Sequence, residues 1–376
     1  MKKFRVLALL MALVMVFAVA CNSKPAEEKA PEEEGAKAPV EEAATEEGGE
    51  TPAEAAEEKA PAEAVEGKVA MVTDTGGVND ESFNQSAWQG LQALEKRGAE
   101  VSYIESHKDA DYAPNIEAKV NEENDLIWGI GFLMKGAIED AALDNPEQTF
   151  ALVDEFWEDG KLPNAAGVMF HSEQSSFLVG YIASYMTETN KVGFILGMEG
   201  PVMDTFKYGY FAGVNYGAKE QGKDIEIMSV TVESFNDAAL GKATATKMYS
   251  DGADVIFHAA GNVGVGVIEA AVEADKWVIG VDLDQNHLGP DNVITSAMKN
   301  VHVATEDLSA RFLNGEEIGG KTFYYGLEED AVGIAPTSDK LVPADVLEKT
   351  HELEQKIKDG DLVIPINEEE YNNFSY

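Results

Sequence analysis

Cysteine is almost absent: Cys21 is the single one in 376 residues. One thiol can form neither an internal disulfide nor a cysteine-built zinc site. Basic residues are scarce too, with 28 Lys and Arg against 69 Asp and Glu, a formal charge of −41. A chain this acidic lacks the clustered Lys and Arg that grip phosphates, so nucleic acid is excluded as a partner. It is also repelled by an anionic bilayer. No nucleotide phosphate loop is expected, and no Gly-x-Ser-x-Gly nucleophile elbow occurs. The six histidines show no metal-ligand spacing, so neither a metal nor another cofactor is expected.

The charge is unevenly spread. Lys2, Lys3 and Arg5 precede a fifteen-residue apolar run, Val6 to Ala20. That run is short for a membrane span and right for a secretory signal. It ends Ala18-Val19-Ala20 immediately before Cys21, which resembles a bacterial lipoprotein signal cleaved before a lipid-bearing cysteine. Two acyl chains on Cys21 suffice to anchor a soluble body on the extracytoplasmic face of the cell membrane. From Asn22 to Lys68 the chain carries fifteen Glu, five Lys and no aromatic residue. Such a stretch cannot bury enough apolar surface to offset its entropy, and it reads as a disordered tether over 22–67.

From Lys68 onward, short apolar strands alternate with helical patterns. Lys68–Thr73, Val101–Ile104, Leu126–Ile130 and Phe150–Val153 read as strands, with helices near 80–97, 112–121 and 135–143 between them. The pattern restarts after Phe170: a helix over 177–186, then strands Lys191–Leu196, Ile225–Val230, Val255–His258 and Val278–Val281, alternating with helices. Repeated βα units predict parallel sheets covered by helices. The expected fold is α/β, two doubly wound parallel-sheet lobes joined by a hinge. Lobe one is expected over 68–172, lobe two over 173–298, and a segment over 299–376 is expected to pack across both. Its last clear helix is expected over Pro343–Lys358. Ligands bind at the carboxyl ends of such strands, so the informative residues are those just after each strand.

The first strand leads into Asp74-Thr-Gly-Gly-Val-Asn-Asp-Glu-Ser-Phe-Asn-Gln-Ser86. Asp80 is placed to cap the next helix, and Asp74 is either a turn former or a ligand contact. This run resembles the opening motif of the basic membrane protein family, ABC-transporter substrate-binding lipoproteins similar to purine nucleoside receptor A. Leu126–Phe132, Ser176–Tyr181, Lys191–Phe194 and Val278–Gln285 resemble it as well. The resemblance spans roughly Val69–Asn300. It implies a type I periplasmic-binding-protein fold, a purine nucleoside ligand (inosine, guanosine or adenosine), ABC permease subunits as partners, and a monomer without enzymatic activity.

The resemblance implies that Phe83 stacks on the base and Asp74 accepts from its edge, with Asn84 assisting. Gly131 and Phe132 follow the third strand, and Asp154 follows the fourth. Phe206 is read as an opposing stacking face or a core residue. Gly261 and Asn262 follow strand Val255–His258, although Asn262 stands where many members carry glycine. Asp282 is the expected acceptor for the ribose hydroxyls, because a carboxylate can take two short bonds from a diol. Lys299 is expected to orient Asp282 or to donate to ribose oxygens, or else to be a surface charge.

Enzyme readings fail on residues. A calcium-binding aspartate cluster of nucleoside-hydrolase type needs a second Asp two residues after Asp74, where Gly76 stands. Asp282-Leu-Asp284-Gln-Asn286 opens like an EF-hand loop but continues with His287 where glycine is required. Two alternatives stay open: a receptor for a sugar or other polyol, and a lipid-anchored surface protein that binds macromolecules.

Overall fold

A computed structural model describes residues 64–158 and 160–375. The signal segment, Cys21 and the tether as far as residue 63 lie outside the described residues. Charge patterning extends the tether to residue 67, but Val65 is already buried at 2 % exposure. Its N–H donates to Arg97 O at 3.0 Å, so an apolar side chain and a backbone bond tie the chain into the body earlier than the charges imply.

The first half alternates β1 (Lys68–Val72), α1 (Phe83–Lys96), β2 (Glu100–Ile104), α2 (Tyr112–Asn121), β3 (Leu126–Ile130), α3 (Lys135–Asp144), β4 (Thr149–Val153) and β5 (Ala165–Phe170). Helix α4 (Ser172–Met186) leads into β6 (Lys191–Leu196), α5 (Pro201–Gln221), β7 (Glu226–Thr231), α6 (Ala238–Ser250), β8 (Val255–Ala259), α7 (Val263–Ala274), β9 (Trp277–Asp282) and β10 (Val293–Lys299). The remainder holds α8 (Val301–Leu313), β11 (Thr322–Tyr325), β12 (Val332–Ile334), α9 (Ala344–Lys358) and α10 (Glu368–Asn373).

Two sheets result, in the orders β11-β5-β4-β3-β1-β2 and β12-β10-β9-β8-β6-β7. Pairing is parallel except between β10 and β12. The central strands are almost wholly apolar because helices cover both faces, while the edge strands β2 and β7 carry polar, partly exposed residues. The chain crosses between the lobes after β5, after β10, and again between β11 and β12. Helix α8 returns to the first lobe, where Trp128 Nε1 donates to Ser309 Oγ at 2.9 Å. Helix α4 divides its faces, with Phe177 and Leu178 in one core and Val179 and Ile182 in the other.

Helices α4 and α5 cross in near backbone contact. A Cβ on Gly213 would stand 2.0 Å from Phe177 O, so only glycine permits that approach. Five elements are not evident from sequence pattern. Strand β5 opens Ala-Ala-Gly, α8 opens Val-His-Val with two β-branched residues, β11 and β12 are four and three residues long, and α10 is six. In each, pairing or packing overrides weak local preference.

Candidate functional site

The strand ends of the two lobes face one another across a cleft enclosing about 580 Å³ of empty space, its open mouth included. Of the eleven candidate ligand contacts, ten line it: Asp74, Phe83, Asn84, Gly131, Phe132, Asp154, Phe206, Gly261, Asp282 and Lys299. Asn262 does not. Its amide donates instead to Asn236 O at 3.3 Å, and although it stands at the N-cap position of α7 it makes no side-chain cap bond there. Gly131 adopts φ 109°, a conformation that residues with a Cβ rarely take, and a Cβ there would fill the space beside Asp74 Oδ2 and Phe83 Cε1, each 3.4 Å away. Its bare backbone keeps that corner open.

Asp80 organises the first-lobe wall. Its carboxylate accepts the N–H groups of Ser82, Asn84 and Gln85 at 3.0, 2.9 and 3.1 Å, capping α1 as its spacing suggests. Asn84 Nδ2 donates to Asp74 Oδ1 at 2.7 Å and to Asp80 Oδ2 at 2.9 Å. Two carboxylates around one amide leave no doubt which end is nitrogen. Asn84 Oδ1 accepts from Asp74 N, so this side chain holds Asp74 in place. Asp74 Oδ1 also accepts from Gly76 N at 2.9 Å. Its Oδ2 takes no hydrogen bond among the described residues.

Burial pushes the Asp74 carboxyl up to about 6, against the Gly76 and Asn84 hydrogen bonds; the Asp80 and Asp154 charges add to the rise. Burial likewise raises Asp80. Asp282 is pushed up to about 7 by burial, opposed by the Lys299 ammonium and the Ser82 hydroxyl. Ser82 Oγ donates to Asp282 Oδ2 from the other lobe. Asp282 Oδ1 has no partner among the described residues.

Lys299 corrects an expectation. It is neither a surface charge nor bonded to Asp282; its Nζ donates to both oxygens of Asp154 at 2.6 and 2.5 Å. The side chain is 2 % exposed, and the pair links the lobes. The ammonium lies 4.9 Å from the Phe83 ring centroid, 5.2 Å from Phe170 and 5.5 Å from Phe206. Rings accept a desolvated cation on their faces, which adds to the attraction that holds Lys299 here. Asp154 and Asp282 both adopt left-handed φ, 67° and 63°, uncommon for residues other than glycine.

Leu133, Met203, Phe235, Ala259, Ala260 and Val281 also line the cleft, and sequence reasoning misses all six. Phe235 follows β7 and meets Phe132 edge-on, centroids 6.2 Å apart. The strand-end rule applied to β7 would have found it.

Two sequence patterns lose their chemistry in this setting. In the EF-hand-like run, Asp284 accepts from the Thr337 hydroxyl at 2.7 Å, and Asn286 is tied to Val293 O and Lys340. Gly315–Thr322 matches the phosphate-loop spacing Gly-x-x-x-x-Gly-Lys-Thr after all. However, it joins a helix to a strand rather than a strand to a helix, and Lys321 Nζ donates to Glu317 O. The oriented helix N-terminus that would cradle phosphate is missing from that loop.

Residues 67–368 match the family described as "ABC transporter substrate-binding protein PnrA-like". The chain is 42 % identical over 319 residues to a "CD4+ T-cell-stimulating antigen" of Listeria monocytogenes, covering 79 % of this chain and 87 % of that one. It is 36 % identical over 311 residues to "Basic membrane protein A" of Borreliella burgdorferi, covering 82 % and 90 %. Among solved structures it is similar to an ABC transporter solute-binding protein from Aeropyrum pernix, with a TM-score of 0.73, 29 % identity, and coverage of 81 % and 95 %. The two-lobe architecture, the cleft at the strand ends and these likenesses agree: the chain belongs to the PnrA-like family of ABC transporter substrate-binding proteins, which are binders and not enzymes.

Proposed function

We propose that the chain captures a purine nucleoside outside the cytoplasm and delivers it to an ABC permease, working as a monomer held to the membrane by lipid on Cys21. The observation that carries this reading is the pairing, in one cavity, of aromatic walls with two buried carboxylates that each keep one oxygen free of protein partners among the described residues. A nucleoside presents a flat ring, ring N–H or amino donors, and a ribose diol. Phe83 and Phe206 offer faces for the ring. Asp74 Oδ2 is the acceptor for the base edge, and Asp282 Oδ1 for the ribose hydroxyls.

The cavity is closed in from two sides, by Phe83 and Gly131 of the first lobe and by Phe206 and Gly261 of the second. Its walls come from both lobes, so a ligand that touches both favours the closed form over an open one, which is what hinge closure requires. The permease then reads the closed surface. Native mass spectrometry of the protein purified without refolding tests the reading. A bound mass equal to inosine, guanosine or adenosine supports it; a sugar mass contradicts it. For the anchor, Cys21→Ala is expected to abolish palmitate labelling and to release the protein from the membrane fraction, and unchanged labelling contradicts it.

A further inference from the structure

Residue Ser82 precedes α1, where a serine usually accepts a backbone N–H through its side chain. Here it makes no such cap bond, because Asp80 accepts the N–H groups of Asn84 and Gln85 in its place. The freed hydroxyl reaches 200 residues along the chain and donates to Asp282 Oδ2 in the other lobe. Two more bonds join the same two segments. Gln285 Nε2 donates to Glu81 O at 2.8 Å, and His287 Nε2 meets Glu81 Oε2 at 3.1 Å.

Gln285 is fully buried and rigidly held. Its Oε1 accepts from Val281 N at 3.0 Å, and its own N–H donates to Ser296 Oγ at 3.2 Å. Glu81 sits at φ 54°, a left-handed conformation costly for a glutamate. Such a conformation persists where surrounding bonds hold it, and both the carbonyl and the carboxylate of Glu81 are gripped by lobe two. None of these bonds involves a ligand.

We infer that residues 80–82 of the first lobe and 282–287 of the second form a clasp that holds the lobes together without ligand, with Ser82 and Gln285 as positioning residues that fix Asp282 in its binding orientation. The inference rests on the hinge-closure reading above, but not on the ligand being a nucleoside. Opening the cleft breaks all three bonds together, so the clasp, alongside the Asp154–Lys299 pair, helps set how much of the closed form exists before ligand arrives. Bound ligand then engages Asp282 through Oδ1 while Ser82 keeps Oδ2.

The test uses the full chain bearing Cys21→Ser, so that no native thiol remains. Spin labels are placed at Lys108→Cys and Lys247→Cys, whose side chains are 72 % and 75 % exposed on opposite lobes. Pulsed electron resonance reads the inter-lobe distance without ligand. Expected is a dominant short distance in the parent and a shift toward a longer one in Ser82→Ala, with guanosine restoring the short one. Guanosine should also leave Ser82→Ala about tenfold faster, the scale of one hydrogen bond to a charged group. His287→Ala removes only the exposed contact and should give a smaller shift in the same direction, which keeps the test open if Ser82→Ala folds poorly. A parent already open without ligand, or distance distributions unchanged in both variants, overturns the clasp. Guanosine that fails to bind the parent counts against the nucleoside reading, while the ligand-free distances still decide the clasp.

Discussion

Replacing Asp282 by asparagine should stabilise the ligand-free protein at alkaline pH while weakening its binding. Burial lifts the Asp282 carboxyl from 3.8 to about 7. A folded-state pKa above the unfolded value means that the native state holds the proton more tightly. Its contribution to stability is therefore present at low pH and is lost as pH rises through about 7. A shift of some three units sets a ceiling of about 4 kcal/mol. Between pH 5 and pH 8 the part that disappears is about 2.5 kcal/mol. The substituted amide would keep an oxygen to accept from Ser82 but carry no titratable proton. Urea unfolding at pH 5 and pH 8 reads the effect, and the difference between parent and Asp282→Asn cancels the other titrating groups, Asp74 above all. The variant should gain on the parent by up to about 2.5 kcal/mol on going from pH 5 to pH 8. Parallel pH dependences in the two proteins would refute the burial argument.

Three further outcomes follow from named contacts. Phe83→Ala removes one ring from the cleft and from Lys299, and should weaken nucleoside binding by about 1–3 kcal/mol in calorimetry; an unchanged affinity removes Phe83 from the site. Asp154→Asn strands the buried Lys299 charge and should cost about 3–5 kcal/mol in urea unfolding, with Asp154→Asn/Lys299→Met recovering much of the loss; a single variant as stable as the parent contradicts the pairing. Gly213→Ala forces α4 and α5 apart and should lower stability by about 1–3 kcal/mol, whereas a neutral effect there would mean that the helices separate freely.

Much of this fold is legible because the informative strands are short apolar runs bounded by turn residues. Leu126–Ile130 and Val255–Ala259 are buried along their whole length, and each ends at a residue that lines the cleft or adjoins one that does. The strand-end rule reaches the cleft from sequence because it needs only local pattern and a topological principle. Partnerships across the cleft are not local. Lys299 meets Asp154 from 145 residues away, and Ser82 meets Asp282 from 200. No spacing rule links such residues, which is why sequence reasoning pairs Lys299 with the wrong carboxylate. Asn84 shows the converse. Its type and place beside Phe83 suggest a ligand contact, and only the geometry reveals that both its amide hydrogens are spent on Asp74 and Asp80. Asn262 misleads for the same reason: the loop after β8 reaches the cleft at Gly261, while the next side chain is bonded to Asn236 O.

Calorimetric titration of the unfolded-and-refolded chain, freed of any carried ligand, bears most directly on the central reading. Inosine, guanosine, adenosine, cytidine and ribose are compared under one condition. Micromolar or tighter binding of purine nucleosides with ribose silent is the expected result. Binding of ribose or another sugar with every nucleoside silent would keep the fold and the family and contradict the ligand, and the free oxygens of Asp74 and Asp282 would then have to serve a polyol.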